Sequence, residues 1–211
     1  MRTYEVVKRA VDCTVALVGL LALAPLFALI ALLIRLDSPS GVFFAHERVG
    51  RYGCKFKVLK FRTMVADAPQ RGAAITAGCD PRITRVGRIL RTTKLDELPQ
   101  LWNVLKGEMS LVGPRPEVEK YVQLWEPALR EVVLSVRPGI TGLTQIRYRH
   151  EERLLAQQTE PEAYYRETLL PLKLQSDVEY VRRRSVWFDM WLLGRTLYAL
   201  FEREQTPLAS Q

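Results

Sequence analysis

The sequence has few of the residues from which metal centres, disulfide frameworks and catalytic triads are usually built. It contains two histidines and three cysteines among 211 residues. The cysteines (Cys13, Cys54 and Cys79) are widely spaced and not paired as CxxC, which indicates neither a disulfide framework nor a zinc site. We therefore expect the chemistry to face a reducing compartment, the cytoplasm. His46 and His150 stand apart without evident triad or metal partners, which favours structural or surface roles for both.

The common nucleotide-binding and hydrolase motifs are also absent, namely GxxxxGK[ST], GxGxxG, HExxH and GxSxG. The composition is nevertheless that of a folded chain, with 48% hydrophobic and 26% charged residues, and its length suits one domain. The formal net charge is +8. This charge predicts an anionic partner, which could be nucleic acid, phospholipid headgroups or a phosphorylated substrate.

An uncharged apolar run extends from Cys13 to Ile34. It is long enough to cross a bilayer as a helix and too long for a typical signal-peptide core. Basic residues flank it on both sides, so the positive-inside tendency gives no orientation. Pro25 lies near its centre and removes a backbone hydrogen bond, which predicts a kink. A re-entrant helix and a spanning helix both stay open, because proline is tolerated in spanning helices too.

A second apolar segment, Ser185 to Phe201, is rich in aromatic residues but too short and too interrupted by charge to span a membrane. Aromatic residues with a few charges are typical of a helix in the headgroup region. The alternative is an amphipathic helix that packs on the core. The preceding segment, Pro161 to Arg184, predicts a helix that contains Asp177.

Two short strands are predicted between the apolar segments, at Gly41–Val49 and Lys55–Met64, joined by a turn at Gly50–Gly53. Because side chains alternate along a strand, Lys60 and Arg62 would share one face of the second strand. That face could bind phosphates. The alternative is a solvated hairpin face.

A row of arginines follows a loop-like stretch over 67–78. The segment from Asp80 to Arg91 predicts a short amphipathic helix with arginines at three-residue spacing, at positions Arg82, Arg85, Arg88 and Arg91. Such a row could bind nucleic acid, lipid headgroups or a pyrophosphate. It lacks a nucleic-acid fold signature and interleaved aromatic residues, which disfavours nucleic acid.

The next segment, Lys94 to Gly107, predicts a helix with Asp96 and Glu97 in its first turn. Acidic residues at this place are typical of a helix cap. The other interpretation is catalytic, because the two carboxylates lie between the arginine row and the rigid turn Gly113–Pro116, which presents Arg115. Carboxylates can hold a divalent cation and attack phosphorus while arginines neutralise phosphate oxygens. A helix amino terminus can serve both roles.

Four motifs carry a resemblance to a known family: KFRTM at Lys60–Met64, DPRITRVGRILR at Asp80–Arg91, LDELPQLWNVLKGEMSLVGPRPE at Leu95–Glu117, and RPGITGLTQI at Arg137–Ile146. Together they resemble the bacterial sugar transferases, monotopic phosphoglycosyl transferases that begin glycoconjugate assembly on undecaprenyl phosphate. The resemblance covers nearly the whole chain, and the central motif is highly specific. The chain looks like the minimal catalytic form, without the extra amino-terminal membrane helices of longer relatives.

The resemblance implies a helix-dominated α+β fold. Its parts would be a re-entrant membrane helix over 1–36 that breaks at Pro25, a small cytosolic catalytic body with short strands over 37–203, and a loose tail over 204–211. Membrane-surface amphipathic helices would hold the chain as a monotopic protein of the bacterial inner membrane, with its active site facing the cytoplasm. Two departures bear on helix geometry: relatives often have a serine where Ala24 stands, and the turn Asp37–Gly41 differs from the commoner form.

The resemblance also implies a ping-pong reaction. Asp96 would attack the β-phosphorus of a UDP-sugar, release UMP, and carry the phosphosugar until polyprenyl phosphate takes it. Mg²⁺ would neutralise the diphosphate, with Asp96, Glu97 and Asp177 as its ligands, although Glu97 could instead assist proton movement. The expected phosphate-binding residues are Arg115, Lys60, Arg62 and Arg91. The sugar, the glycan pathway and the oligomeric state are not predicted.

A non-enzymatic alternative is a basic membrane adaptor. Its arginines would bind anionic membrane lipids, and its Asp96 would only cap a helix. The adjacent acids within an otherwise intact motif favour the transferase.

Overall fold

The computed structural model describes residues 2–38, 41–68 and 80–201. Its helices are α1 (Arg2–Ala22), α2 (Ala24–Asp37), α3 (Arg85–Thr93), α4 (Gln100–Lys106), α5 (Glu119–Val122), α6 (Pro127–Leu134), α7 (Leu143–Arg147), α8 (Glu151–Ala156), α9 (Pro161–Tyr164), α10 (Leu170–Arg183) and α11 (Val186–Phe201). Its strands are β1 (Phe43–Val49), β2 (Lys55–Phe61), β3 (Ser110–Val112) and β4 (Gly139–Thr141). The predicted helix-dominated α+β class is confirmed. The predicted tail over 204–211, and all but the first two residues of the predicted loop over 67–78, lie outside the described residues.

The predicted hairpin is confirmed. Strands β1 and β2 pair antiparallel, with Phe43 opposite Phe61, and a 3₁₀ turn at Arg51–Gly53 joins them. Strand β2 ends three residues earlier than predicted. Phe56 and Val58 point from β2 into the core, so the same face of the strand carries Lys60 towards the protein rather than to solvent.

The amino-terminal apolar segment is bent. The axes of Thr3–Ala22 and Ala24–Asp37 differ by 61°. The bend falls at Leu23, and Pro25 lies in the first turn of α2, where its missing N–H costs no helical hydrogen bond. Within the described ranges no single helix is long and apolar enough to cross a membrane, whereas the bent pair taken together is. The kink that Pro25 predicts is therefore present within two residues of it.

Helix α1 is attached to the body through polar side chains. The guanidinium of Arg9 donates to the carbonyls of Val104 at 2.6 Å and Leu105 at 2.9 Å, which are in the last turn of α4. Carbonyls at a helix end lack intrahelical partners, so Arg9 caps α4. Asp12 accepts a hydrogen bond from the backbone N–H of Leu111 in β3 at 3.1 Å. The apolar helix is thus part of the scaffold that holds α4 and β3.

Helix α11 packs on the core, as one of the two open interpretations predicts, and its place in the headgroup region stays a prediction. Its Asp189 is buried and accepts hydrogen bonds from Lys8 at 2.7 Å, Tyr4 at 2.8 Å and Tyr180 at 2.9 Å. This side of the helix therefore packs on α1 and α10. The other side exposes large apolar side chains, namely Val186, Trp187, Met190, Trp191, Leu197 and Tyr198. A packed polar face and an exposed aromatic face coexist in one helix.

Two backbones cross closely at the short parallel pair β3–β4. The N–H of Gly139 donates to the carbonyl of Pro114 at 2.8 Å, and the N–H of Gly113 donates to that of Thr141 at 2.9 Å. A Cβ on Gly139 would lie 2.0 Å from the nitrogen of Gly113, so both positions need glycine. This crossing fixes the turn that presents Arg115.

Helix α3 is held both at the end of α2 and at the hairpin. The carboxylate of Asp37, the last residue of α2, accepts a hydrogen bond from the N–H of Val86 at 2.9 Å. Thr84 caps the helix by accepting from the N–H of Gly87 at 3.0 Å. A Cβ on Gly87 would lie 2.1 Å from the carbonyl oxygen of Thr63. The backbone of α3 is therefore in direct contact with the backbone that follows β2.

We predict that Gly87→Ala destabilises the protein by about 1–3 kcal/mol, because the added methyl group overpacks a contact with backbone that cannot move aside. The free energy or midpoint of unfolding of the full chain in detergent micelles measures the effect.

The matched control is Gly194→Ala in α11, where an added Cβ meets nothing within 4 Å. This variant should be as stable as the wild type or more stable by up to about 1 kcal/mol, since alanine favours a helix. Equal stability of the two variants would contradict the close packing of α3.

Candidate functional site

The two acids lie in a 3₁₀ turn, Leu95–Glu97, and not in the first turn of α4. The prediction of one continuous helix from Lys94 was wrong. Lys94 adopts a left-handed conformation, with φ of 58°, which ends α3 and redirects the chain. Pro99 immediately precedes α4, so the helix starts at Gln100. The acids therefore occupy a short bridge between two helices.

Asp96 is buried without a complete set of partners. It is 7% exposed, and its Oδ1 has no hydrogen-bond partner in the described part of the chain. No side chain caps the 3₁₀ turn or α4, so the interpretation of Asp96 as a cap was wrong. Burial raises the pKa of Asp96, and Lys60 opposes this rise. A buried carboxylate oxygen without a donor is costly to keep and indicates a site that a ligand completes.

Glu97 is held ionised by two cations. Its Oε1 is 2.7 Å from the Nζ of Lys60 and 3.7 Å from Nη2 of Arg115. Burial works against its charge, but the charges of Lys60 and Arg115 and the hydrogen bond from Lys60 lower the pKa of Glu97 to about 2. Asn103 of α4 fixes this geometry, because its side chain bonds the backbone of Lys57 at 2.8 Å and of Leu59 at 3.0 Å in β2. Lys60 and Arg115 are thus both brought to the acids, as their expected roles require.

Arg91 is a further cation whose charge acts on Asp96, after Lys60 and Lys94. Its Nε donates to Thr63 Oγ1 at 3.0 Å, and its Nη1 is 3.6 Å from Glu152. That Nη1 is buried and has no hydrogen-bond partner in the described ranges. Burial raises the pKa of Asp96, and the charge of Arg91 opposes this rise, as do those of Lys60 and Lys94. Arg91 therefore has a donor without a hydrogen-bond partner and acts on Asp96, which has an acceptor without one.

The predicted arginine row does not form one binding face. Arg82 lies before α3 and pairs with Asp80, while Arg85 and Arg88 are exposed. Three residues turn a helix by about 300°, so each arginine is rotated from the previous one and the row winds around the helix. Arg91 is the member of the row that the structure brings to the acids.

Arg62 lies just beyond the end of β2. Its Nη2 donates to the carbonyl of Phe43 at 3.3 Å, and its Nε is buried without a partner among the described residues. Its role in binding phosphate stays a prediction.

Asp177 is fully buried in α10. It accepts a hydrogen bond from Thr144 at 2.5 Å and another from the backbone N–H of Arg115, and burial raises its pKa to about 7. Among the described residues, no three His, Cys, Asp or Glu side chains lie together as metal ligands would. The role of Asp177 as a metal ligand stays a prediction. Its visible contacts hold the backbone that carries Arg115.

A further cluster of ionisable side chains on the protein side of Arg115 was not identified from the sequence. Glu117, Glu151, Tyr165 and Lys173 come together there, and Arg48 joins them from β1. Glu117 follows Arg115 by two residues in the quoted motif, and that proximity is the one signal that could have pointed to it. The others are brought in from separate segments.

The fold and the site together define an enzyme class. A buried carboxylate pair with cations beside it is suited to phosphorylated substrates. The bacterial sugar transferase family model matches residues 3–203. The chain therefore belongs to the bacterial sugar transferase family.

Curated relatives carry related names. The chain is 35% identical over 196 residues to a UDP-N-acetylgalactosamine-undecaprenyl-phosphate N-acetylgalactosaminephosphotransferase of Aeromonas hydrophila, covering 92% of this chain and 43% of that protein. It is 43% identical over 196 residues to an undecaprenyl-phosphate glucose phosphotransferase of Komagataeibacter xylinus, covering 90% and 35%. It is 42% identical over 208 residues to the exopolysaccharide production protein ExoY of Sinorhizobium fredii, covering 92% and 84%. The chain thus spans less than half the length of the first two relatives.

We predict that Lys60→Met destabilises the protein by about 2 kcal/mol, because it leaves the largely buried Glu97 ionised with only the more distant Arg115 as counter-charge. Thermal unfolding at neutral pH measures the loss.

Lys55→Met on the same strand is the matched control. Lys55 pairs with Glu47 and Glu119 at the surface, so its removal should leave the unfolding midpoint unchanged. If both variants unfold at the wild-type temperature, the Lys60–Glu97 pair does not stabilise the site.

Proposed function

We propose that this chain transfers a sugar-1-phosphate from a UDP-sugar to undecaprenyl phosphate, releasing UMP and forming the first lipid-linked intermediate of a surface glycan. The observation that carries the proposal is the buried Asp96, whose unpartnered Oδ1 lies beside the Lys60–Glu97 ion pair. The names of the relatives support the reaction class. Because those names include both glucose and N-acetylgalactosamine, the donor is proposed only as a UDP-sugar.

Asp96 is the proposed nucleophile. One of its oxygens attacks the β-phosphorus, and the bond from that phosphorus to the bridging oxygen breaks, so UMP leaves with the electron pair. The phosphosugar is then an acyl phosphate on Asp96. A carboxylate in a buried site is poorly solvated, which makes it more reactive than one in water. Glu97 stays charged beside it, because its pKa is about 2.

The cations around the acids neutralise the phosphate oxygens. Arg115 is the residue best placed for this, because its side chain is 39% exposed and its Nη2 lies 3.7 Å from Glu97 without a closer bond to that carboxylate. Arg91 offers its Nη1, which has no hydrogen-bond partner in the described part of the chain and lies 3.6 Å from Glu152. Arginine suits this task because its fork matches two phosphate oxygens.

The donor set fits a divalent cation. Asp96 contributes a buried oxygen that lacks a donor, and Glu97 is ionised beside it, so these two residues would hold Mg²⁺. When bound, the ion supplies neutralisation of the diphosphate charge.

Undecaprenyl phosphate completes the cycle. An oxygen of its phosphate attacks the phosphorus of the phosphosugar, the bond to Asp96 breaks, and the carboxylate is regenerated. Splitting the transfer lets the water-soluble donor and the lipid acceptor use one site in turn.

We expect Asp96→Asn to lower UMP release from a UDP-sugar by about 10⁴-fold or more, because an amide cannot act as the nucleophile. A coupled assay for UMP measures the rate. Intact-protein mass spectrometry without acceptor should show a phosphosugar adduct on the wild type and none on the variant.

Glu119→Gln removes an exposed carboxylate of α5 and serves as the control, with wild-type release expected. Turnover by Asp96→Asn at the wild-type rate would rule out Asp96 as the nucleophile. It would instead favour the adaptor interpretation, in which the arginines only bind anionic lipid.

The same proposal places the chain in the bacterial cytoplasmic membrane as a monotopic protein. Helices α1 and α2, bent by 61°, would enter and leave on the cytoplasmic side, so that the catalytic body and both helix ends face the cytoplasm. The carboxylate of Asp37 supports this arrangement, because it ties the end of α2 directly to α3 of the body.

Topology labelling tests the placement. A cysteine introduced by Arg2→Cys, in a chain with its native cysteines replaced by serine, should react with a membrane-impermeant maleimide only after the cytoplasmic side is opened. Labelling of intact cells at this position from the periplasm would show a spanning helix instead.

A further inference from the structure

A second ionic group lies buried behind the candidate active site, and we call it the Lys173 cluster: Arg48, Glu117, Glu151, Tyr165 and Lys173. The Nζ of Lys173 donates to Glu151 at 2.9 Å and to the hydroxyl of Tyr165 at 3.1 Å. The Tyr165 hydroxyl donates to Glu117 at 2.5 Å. Arg48 donates to the other oxygen of Glu117 at 2.9 Å. Lys173 is only 5% exposed, so these contacts form in a low-dielectric interior.

A local distortion places Tyr165 in this cluster. Residues Tyr165–Leu169 form a π-helical turn between α9 and α10, and Pro171 follows in the first turn of α10. Proline lacks the N–H that would bond the carbonyl four residues earlier, and its ring crowds that carbonyl, which favours a wider turn. Such π-turns frequently occur at functional sites. Here the wide turn directs the tyrosine hydroxyl between Glu117 and Lys173.

The cluster is balanced in charge without Arg115. It contains two cations, Arg48 and Lys173, and two carboxylates, Glu117 and Glu151. Burial opposes the charge of Arg115, but Glu97, Glu151 and Glu117 together raise its pKa. The Arg115 guanidinium therefore lies within the field of carboxylates on both sides, Glu97 in front and the cluster behind. Because Arg48 and Lys173 already neutralise Glu117 and Glu151, the Arg115 guanidinium is free to interact with Glu97.

We propose that Lys173 is a positioning residue, which neutralises Glu117 and Glu151 from inside the body and thereby keeps the Arg115 guanidinium directed towards Glu97 and available to the donor phosphate. The inference rests on the proposed function, in which Arg115 binds that phosphate. Without Lys173, Arg48 would be the one cation left in the cluster for the buried Glu117 and the part-buried Glu151. Arg115 interacts with both carboxylates through its charge, and its distance to Glu97 is 3.7 Å, longer than a short ion pair. A guanidinium drawn back into the interior would no longer meet the substrate.

The test is the kinetics of UMP release by the full chain in lipid nanodiscs, with UDP-glucose or UDP-N-acetylgalactosamine, whichever the wild type accepts. Lys173→Met should raise the KM for the UDP-sugar by about 10- to 100-fold, as expected for the loss of a charged hydrogen bond, with a smaller change in kcat. Adding Glu151→Gln to that variant should bring the KM back to within about threefold of the wild type, because the competing carboxylate is gone.

Lys120→Met is the matched control. Lys120 pairs with Glu162 at 2.9 Å and lies over the ring of Tyr121, as Lys173 pairs with Glu151 and lies over the ring of Tyr165, but its pair is exposed. It should leave both kinetic constants unchanged.

An unchanged KM in Lys173→Met, or a double variant as impaired as the single one, would overturn the proposal. If Lys173→Met does not fold, Glu151→Gln alone decides. It should lower the KM, because one competitor for Arg115 is removed, and a raised KM would refute the role assigned to Lys173. Absence of UMP release by the wild type would instead reject the proposed function, so the two failures are distinguishable.

Discussion

The structure depends on the close crossing of two backbones at Gly113 and Gly139. There is no room for a side chain at either position, and the hydrogen bonds between the crossing segments tie the turn that carries Arg115 to the segment before α7. With this turn fixed, Arg115 projects towards Glu97, and Glu117, two residues on, projects into the Lys173 cluster. Asp177 also holds this turn, because its carboxylate accepts a hydrogen bond from the backbone N–H of Arg115. The rigid crossing therefore positions one charged side chain in the candidate active site, Arg115, and another in the Lys173 cluster, Glu117.

Local features of the chain were predictable from its sequence. The alternating hairpin, the kink beside Pro25 and the aromatic helix from Val186 each follow from residues close together in the chain. The adjacent acids were recognised as the candidate site through the surrounding motif. Their actual backbone was not predicted, because a lysine in a left-handed conformation gives no compositional signal, and Lys94 looks like an ordinary helix residue.

Long-range assembly could not be predicted from spacing. Lys173 and Glu151 are 22 residues apart, and Tyr165 and Glu117 are 48 apart. Each looks like an ordinary surface residue in its own segment, and only the packed fold makes them partners. The arginine row was predicted on a helix from Asp80 to Arg91, but α3 begins only at Arg85, and successive arginines are rotated around it.

The polar side chains of α1 have a consequence for the order in which the protein folds. Lys8, Arg9 and Asp12 hydrogen-bond to residues of α11, α4 and β3. These three side chains therefore attach α1 to the rest of the protein. The partners of Arg9, Asp12 and Lys8 lie 95, 99 and 181 residues later in the chain, so they are synthesised after this helix. During synthesis α1 is therefore without these contacts until α4, β3 and α11 have been made, and the last turn of α4 is capped only once α1 packs against it. A body without α1 would lose the cap of α4, the helix that directly follows the two acids.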